Sequence, residues 1–269
     1  MRYLSLCSGI EAASVAWKDL GWEPIAFSEI EKFPCSVLKF RFPDVPNVGD
    51  MTKIDGRDYN GTVDLIVGGT PCQGFSQAGR RGGLSDPRSA LALHFVRIVS
   101  ECQPKWFIWE NVPGALSTNG GRDFGTFIQA LDQCGYYLAW RVLDVQFFGT
   151  PQRRRRIYLI GHSGGWKGPA KVLFESKGLR RNCEERREAG ETYPCLTRNG
   201  AQALDDRTPF CLEESGPRRL APVEWERLQG FPDGWTDVPG ASDSARYRAL
   251  GNSMPVPVMK WIGQNISKL

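Results

Sequence analysis

Apolar residues over the first 160 positions alternate between short continuous runs and longer stretches with helical spacing. The short runs predict strands near 3–7, 23–28, 63–67, 105–110, 137–145 and 156–161. Apolar residues three or four positions apart predict helices over 11–20, 30–40, 87–101 and 123–134. Alternating strands and helices are typical of βαβ units, so we expect an α/β fold around a mostly parallel open sheet.

Near residue 164 this pattern gives way to a mixed-charge stretch with few apolar runs. Helical spacing returns in 221–228 and 255–266. We therefore expect a larger domain formed by 1–163 and 249–269, and a small second domain formed by 164–248. A chain of 269 residues is long enough for one large domain that carries such a lobe.

The composition excludes several classes of protein. Hydrophobic residues at 41% and charged residues at 24% are typical of a folded globular chain rather than a disordered one. The longest apolar runs, such as 63–69, are far shorter than the roughly 20 residues that span a membrane. Met1 leads into a predicted strand rather than a signal peptide, so we expect an intracellular protein with no membrane partner.

Cysteine and histidine usage restricts the chemistry. The eight cysteines include no Cys-x-x-Cys pair, which argues against metal fingers and against a disulfide framework. Two histidines are too few for a multi-histidine zinc site, so we predict no metal. Catalysis then has to rest on Cys, Glu, Asp, Asn or Arg side chains.

The net charge of +4 says little by itself, but arginine supplies 24 of the 34 basic residues. Guanidinium groups pair well with phosphates and with guanine edges. Basic runs such as 153–156 therefore fit a nucleic-acid partner, although such runs also form ordinary solvated faces.

The turn after the first predicted strand, Cys7-Ser8-Gly9, consists of small residues and precedes a helix. Such a turn brings backbone N–H groups close to a ligand, although many α/β proteins turn this way without binding one. Glu29 ends the second strand, where nucleotide-binding folds place an acid that binds ribose. Asp50 stands near the expected end of the third strand. Each acid could equally cap a helix or a turn.

Cys72 follows the buried strand 63–67 through a Gly-Gly-Thr-Pro turn, at the edge where open α/β sheets bind ligands. We interpret it as a nucleophile. The alternative is a buried structural thiol, the role that we assign to the other seven cysteines. The glycines of 74–83, together with Arg80 and Arg81, predict a basic loop suited to closing over a phosphate backbone.

Glu110 ends another buried strand, and the same geometry should make it face Cys72. Partial desolvation there would raise the pKa of the carboxyl and allow it to donate a proton. The alternative is a glutamate that stands by chance where a strand reaches the surface.

Five short blocks stand in order along the chain. They are Gly-Thr-Pro-Cys-Gln at 69–73, Glu-Asn-Val at 110–112, Gly-Thr-Pro-Gln-Arg-Arg-Arg-Arg at 149–156, Arg-Leu-Gln-Gly-Phe-Pro at 227–232 and Gly-Asn-Ser at 251–253. In this order they resemble the cytosine-5 DNA methyltransferases. The resemblance implies the Rossmann-like fold of S-adenosyl-methionine-dependent methyltransferases, with a small target-recognition domain. It also implies S-adenosyl-L-methionine as cofactor and double-stranded DNA as partner.

The mechanism implied by the resemblance agrees with the roles expected for Cys72 and Glu110. The thiolate of Cys72 would add to C6 of cytosine while Glu110 binds N3 and the exocyclic amine. C5 would then take the methyl group, and loss of the C5 proton with expulsion of Cys72 would complete the turnover. The target base would have to be flipped out of the duplex, which costs a few kcal/mol.

The resemblance, followed position by position along the chain, implies most of the site residues. The basic loop adds Arg80 and Arg81, and the segment 192–198, which resembles the family's entry to the recognition loops, adds Arg198. The catalytic residues expected are Cys72, Glu110, Arg154 and Arg156. The cofactor-binding residues expected are Ser8, Gly9, Ile10, Glu29, Ile30, Asp50, Leu91, Asn252 and Ser253. The DNA-binding residues expected are Ser76, Arg80, Arg81, Gln152 and Arg198.

The strand and turn at 4–12 correspond to the first conserved segment of the family, and two residues depart from it there: Cys7 stands where an aromatic is usual, and Glu11 where a second glycine is usual. Cys7 offers no ring face to adenine, which predicts a lower cofactor affinity unless another aromatic such as Phe27 replaces it. Glu11 could instead cap its own helix. Cys72 and Glu110 are intact, so we predict an active enzyme.

The expected role is restriction-modification or phage self-protection, with a cognate restriction endonuclease as a candidate partner. We expect a monomer in the cytoplasm of a bacterial cell or of a phage-infected host. Two alternatives stay open. One is the same chemistry on a transfer-RNA cytosine, because the family includes such a subfamily and the recognition region is short. The other is a DNA-binding relative without turnover.

Overall fold

The computed structural model describes residues 1–70, 90–174, 210–213 and 216–269. Six strands form the main sheet: β1 (Arg2–Leu6), β2 (Glu23–Ser28), β3 (Leu65–Gly68), β4 (Trp106–Asn111), β5 (Tyr137–Asp144) and β6 (Arg155–His162). Their order across the sheet is β2-β1-β3-β4-β6-β5. Strands β1 to β4 are parallel, whereas β6 is antiparallel to both β4 and β5. The predicted α/β class and mostly parallel sheet are confirmed.

The helices are α1 (Ala12–Trp17), α2 (Lys32–Arg41), α3 (Ala90–Cys102), α4 (Arg122–Gln133), α5 (Lys167–Leu173), α6 (Pro222–Gln229), α7 (Asp243–Asn252) and α8 (Val256–Ile266). A hairpin is formed by β7 (Phe210–Glu213) and β8 (Gly216–Arg219). The sequence pattern missed this hairpin, α5 and α7. Helix α5 contains Gly168 and Pro169, and α7 is mostly polar, so neither shows a clear apolar stripe. Within the described ranges, no helix combines the length and the apolar character needed to cross a membrane.

The core lies in two layers, one on each face of the sheet. Tyr3 and Ile108 face the layer that contains α1 and α8, whereas Leu4 and Phe107 face the layer that contains α3 and α4. Successive strand residues point to opposite faces, so a strand covered on both sides is apolar throughout. This explains why β3 and β4 appear in the sequence as continuous apolar runs.

Helices α5 and α6 fall within the range 164–248 that the sequence assigns to a separate small domain. Their residues Val172, Leu173 and Trp225 belong to the same hydrophobic core as Tyr3 of β1. The described ends of the range therefore pack on the larger domain, and the division into two domains stays a prediction.

Candidate active site

The strand order brings several predicted site residues to one crevice. Strand β1 lies between β2 and β3, so the chain runs outward to β2 and then returns across β1 to form β3. Ligands of open α/β sheets bind at such a point, beyond the carboxyl ends of the strands. A cleft of about 600 Å³ opens there, a volume suited to a small-molecule ligand. The predicted residues that line it are Gly9, Glu29, Ile30, Asp50, Leu91, Glu110, Arg154, Arg156 and Asn252.

Ser8, Gly9 and Ser253 line a smaller cavity beside this cleft, together with Glu110. Ile10 is placed differently from the expectation. Its side chain is fully buried in the core, so it offers no surface to a ligand in the cleft. Its contribution is structural, because its carbonyl accepts a hydrogen bond from the indole of Trp235.

The turn after β1 is tied to the predicted ribose acid. The Gly9 N–H donates to Glu29 Oε2 at 2.8 Å, and the N–H groups of Ile30 and Glu31 both donate to Oε1 at 2.8 Å. Ser8 N–H donates to the Ser28 carbonyl at 3.0 Å. A carboxylate can accept about four hydrogen bonds, so Glu29 retains capacity for a ligand hydroxyl.

Asp50 and Ile30 flank the cleft. Asp50 Oδ1 accepts from Thr52 N–H at 2.9 Å, which lowers the pKa of the carboxyl and caps the short 3-10 turn Met51–Lys53. The acid therefore caps a turn and also lines the cleft. Ile30 is 73% exposed, and a large apolar side chain in this position suits contact with a flat ring.

Cys7 lines the cleft in the place where the family usually has an aromatic. Burial, followed by the charges of Glu29 and Asp50, raises the pKa of its thiol to about 12, so it stays neutral. The suggestion that Phe27 replaces the missing aromatic is wrong, since Phe27 is fully buried and packs edge-on against Phe42.

Glu110 lies at the carboxyl end of β4 with only 8% of its surface exposed. Arg156 Nε stands 3.2 Å from Glu110 Oε1, close enough for an ion pair. Burial raises the pKa of the Glu110 carboxyl, and the charges of Arg156 and then Arg154 oppose this shift. Desolvation is the largest cause, so Glu110 holds its proton at a higher pH than an exposed glutamate does.

Arg154 is buried beneath the cleft. Its Nη2 donates to the carbonyls of Gly251 at 3.0 Å and Ser253 at 2.8 Å. These bonds fix the end of α7 against the start of β6, so Arg154 positions Asn252 and Ser253 at the cleft. Its contact with a flipped base stays a prediction.

The structure corrects the expectation that Gln152 contacts DNA. Gln152 has no exposed surface, and its Nε2 donates to the Leu228 carbonyl at 3.0 Å. A fully buried side chain cannot reach a duplex without local opening. Gln152 instead joins the segment before β6 to the end of α6.

Three residues at the ends of β3 and β4 form a clamp that sequence reasoning missed. Trp109 Nε1 donates to Thr70 Oγ1 at 3.0 Å, and Asn111 Nδ2 donates to the Thr70 carbonyl at 2.7 Å. The clamp fixes the chain directly before the segment that carries Cys72. Thr70 and Asn111 both stand within matched blocks, which gave a sequence signal for their positions but not for the contact between them. The expected residues that lie outside the described ranges are Cys72, Ser76, Arg80, Arg81 and Arg198.

Trp235 connects the segment after α6 to the turn after β1. Its Nε1 donates to the Ile10 carbonyl at 2.8 Å, and Arg41 of α2 donates to the Trp235 carbonyl at 3.0 Å. The Arg41 guanidinium also lies 5.1 Å from the Trp235 ring centre. The indole therefore ties the residue at the end of the turn to the segment after α6.

Replacing Trp235 by phenylalanine should lower the free energy of unfolding by about 1 kcal/mol, because the Ile10 carbonyl loses its donor. Urea denaturation measures this change. Trp166→Phe is the matched control, since Trp166 is 64% exposed and should tolerate the same substitution. Equal stability of the two variants would contradict the role of the indole N–H.

Glu11 caps α1, as expected, and is almost fully buried. Burial raises the pKa of its carboxyl to about 7 from an ordinary 4.5, although hydrogen bonds from Ser5 and Ser14 oppose the shift. The folded protein therefore holds this proton more tightly than the unfolded chain does. The resulting stabilisation is complete below pH 4.5 and is lost as the pH rises through about 7.

Between pH 4.5 and 8, the free energy of unfolding should fall by about 3 kcal/mol in the wild type relative to Glu11→Gln. Tyr3, which faces Glu11 from β1, has a strongly raised pKa and stays neutral over this range. Urea denaturation of both proteins at several pH values measures the difference, and all other titrating groups cancel. Parallel pH profiles would contradict the buried acid.

Comparison with solved structures agrees with the fold. A methyltransferase from Entamoeba histolytica superposes with a TM-score of 0.78 and 18% identity, over 100% of this chain and 98% of that one. At this identity the similarity shows the fold alone. The fold is thus the Rossmann-like fold of S-adenosyl-methionine-dependent methyltransferases.

Comparison of the amino-acid sequence with known families and proteins identifies the family of this chain. The model of the C-5 cytosine-specific DNA methylases matches residues 1–178 and 171–268, and the chain belongs to this family. It is 31% identical over 278 residues to the type II methyltransferase M1.ScrFI of Lactococcus lactis, covering 89% of this chain and 70% of that protein. It is also 30% identical to a protein of Escherichia phage P1 named DNA N-6-adenine-methyltransferase, over 99% of this chain. The chain spans 61% of the length of that phage protein.

Proposed function

We propose that this chain transfers a methyl group to C5 of cytosine within a short specific sequence of double-stranded DNA. The transfer proceeds through a covalent bond between Cys72 and C6 of a flipped-out base. The observation that carries the proposal is Glu110, a buried acid with a raised pKa paired to Arg156 in a cleft that also holds a nucleotide-type turn. This arrangement would place a proton donor and two guanidinium groups around the flipped cytosine.

Each residue of the site then has a defined role. The Cys72 thiolate forms a bond to C6 while Glu110 donates its proton toward N3, which makes C5 nucleophilic. S-adenosyl-L-methionine, when bound, supplies the methyl group that C5 receives. Loss of the C5 proton to solvent is followed by breakage of the bond between sulfur and C6, which restores the thiolate. Return of the N3 proton to Glu110 restores the acid and releases the neutral methylated base.

The cleft suits S-adenosyl-L-methionine by its donor set. Glu29 has remaining acceptor capacity for ribose hydroxyls, Asp50 can accept from the adenine amine, and Ile30 offers an apolar surface to the ring. Gly9 carries no side chain that would narrow the turn, and its φ of 57° is a conformation that glycine adopts without strain. We propose that Leu91, Asn252 and Ser253 complete the cofactor site.

Bisulfite sequencing of genomic DNA tests the proposal, in a host without its own cytosine methyltransferases that expresses this chain or its Cys72→Ala form. Protected cytosines in one short motif, absent with the variant, would establish the activity and identify the target sequence. Mass spectrometry for N6-methyladenine in nucleosides from the same genomic DNA tests the activity after which the phage P1 relative is named.

If no cytosine in the genome is protected from bisulfite conversion, DNA is not the substrate under these conditions. Transfer of labelled methyl to transfer RNA in vitro would then favour transfer RNA as the substrate. Duplex binding without any covalent adduct to a 5-fluorocytosine substrate would favour a non-catalytic relative. We further propose that the chain acts as a cytoplasmic monomer, with a cognate restriction endonuclease as its functional partner.

A further inference from the structure

Glu11 occupies a backbone position that normally requires glycine. Its φ of 62° lies in the left-handed region, which is strained for residues with a side chain. Its carboxylate is only 1% exposed, and burial of such a group costs free energy unless hydrogen bonds compensate. A residue that is unfavourable in both respects persists only where its contacts hold it in place.

The contacts of Glu11 join the two elements that flank the turn. Oε2 accepts from Ser5 Oγ of β1 at 2.8 Å, and Oε1 accepts from both N–H and Oγ of Ser14 in α1, each at 3.0 Å. The Ser14 hydroxyl is in turn hydrogen-bonded to the hydroxyl of Tyr3 in β1. A single carboxylate therefore fixes the end of β1 to the first turn of α1.

The residues between these two anchors form the wall of the ligand cleft. Within the turn, Gly9 N–H bonds to Glu29 and Ser8 N–H bonds to the Ser28 carbonyl. Glu11 lines the same small cavity as Ser8 and Gly9. The position of the turn thus sets where Glu29 stands, and the Glu11 carboxylate sets the position of the turn.

We propose that Glu11 is a positioning residue for the cofactor, which holds the turn after β1 in its binding conformation. Its three hydrogen bonds replace the conformational freedom of the glycine that the family usually has here. The proposal rests on the proposed function, because that function assigns the turn to S-adenosyl-L-methionine.

Three substitutions separate the hydrogen bonds from the backbone strain. Glu11→Gln keeps the shape, and its amide can accept from Ser14 and donate to Ser5 Oγ. Glu11→Gly removes the bonds but also the strain. Glu11→Ala removes the bonds and keeps the strain, so it should be the most damaging of the three.

Isothermal titration calorimetry with S-adenosylhomocysteine measures the effect directly. We expect the Kd to rise about tenfold in Glu11→Ala, about threefold in Glu11→Gly and less than about twofold in Glu11→Gln. The kcat at saturating cofactor and the Kd for duplex DNA should stay at wild-type values. Glu23→Ala, which removes an exposed glutamate at the start of β2, is the matched control.

A folded Glu11→Ala variant with wild-type affinity would overturn the proposal, as would a loss of kcat with the Kd unchanged. If the alanine variant does not fold, a Glu11→Gly variant that binds as tightly as Glu11→Gln overturns it. Failure of the proposed function has a different signature. Wild type and the three variants could bind S-adenosylhomocysteine with the expected relative Kd values while wild type transfers no methyl group to DNA. In that case the positioning role stands and the proposed reaction fails.

Discussion

Replacement of Cys72 by alanine is expected to abolish methyl transfer, while the affinity for duplex DNA stays within about threefold of wild type. The physical reason is that C5 of cytosine is a weak nucleophile until a group adds to C6, and alanine offers no such group. Transfer of labelled methyl to DNA measures the first effect, and a gel-shift titration measures the second.

Cys134→Ala is the matched control for this variant. Cys134 follows α4, and its thiol donates to the Ala130 carbonyl at 3.1 Å, four residues earlier in the chain. The control should transfer methyl at the wild-type rate and should form a covalent complex with DNA that contains 5-fluorocytosine. Any covalent complex formed by Cys72→Ala would show that another nucleophile operates.

Replacement of Glu110 by glutamine should lower kcat by a factor on the order of 100 to 10,000, as expected for loss of a general acid. Glutamine keeps the size of the side chain and its hydrogen-bonding atoms, but it cannot give a proton to N3. Single-turnover methyl transfer at saturating DNA and cofactor measures the chemical step.

The pH dependence of kcat gives a second test of the acid role of Glu110. The protonated form of Glu110 is the donor and its pKa is raised by burial, so kcat of the wild type should fall as the pH rises through that pKa. The residual activity of Glu110→Gln should lack this step. Glu23→Gln makes the same chemical change at an exposed site and should match the wild type in both rate and profile. A Glu110→Gln rate within a factor of about three of this control would contradict the acid role.

Local patterns predicted the strands well. All six strands of the main sheet were predicted, with boundaries that differ by no more than two residues. Buried parallel strands produce unbroken apolar runs, and these are visible in one sequence. Helix α7 was missed because it buries only Ala249, Leu250 and Gly251, which leave no apolar stripe to detect.

The candidate site was predicted mainly through block matching, and the errors have a common cause. Gln152 and Phe27 were assigned contacts with DNA and cofactor, yet both are fully buried. Burial depends on which distant segment packs over a residue, and the segment that Gln152 contacts lies 76 positions away. The clamp of Trp109 and Asn111 on Thr70 was missed for the same reason, since it joins two strand ends that are about 40 positions apart.

The sequence by itself determined the α/β class, the strand positions and the family, because apolar periodicity and block order are local properties of the chain. A raised pKa for Glu110 was expected from the sequence, but only the tertiary structure decided that desolvation outweighs the opposing charges of Arg156 and Arg154, since both effects arise from the packing around the carboxyl. The structure alone also showed that Glu11 joins β1 to α1. The left-handed backbone of Glu11 and the burial of its carboxylate depend on how β1 and α1 pack together in three dimensions, and a linear pattern does not contain that packing.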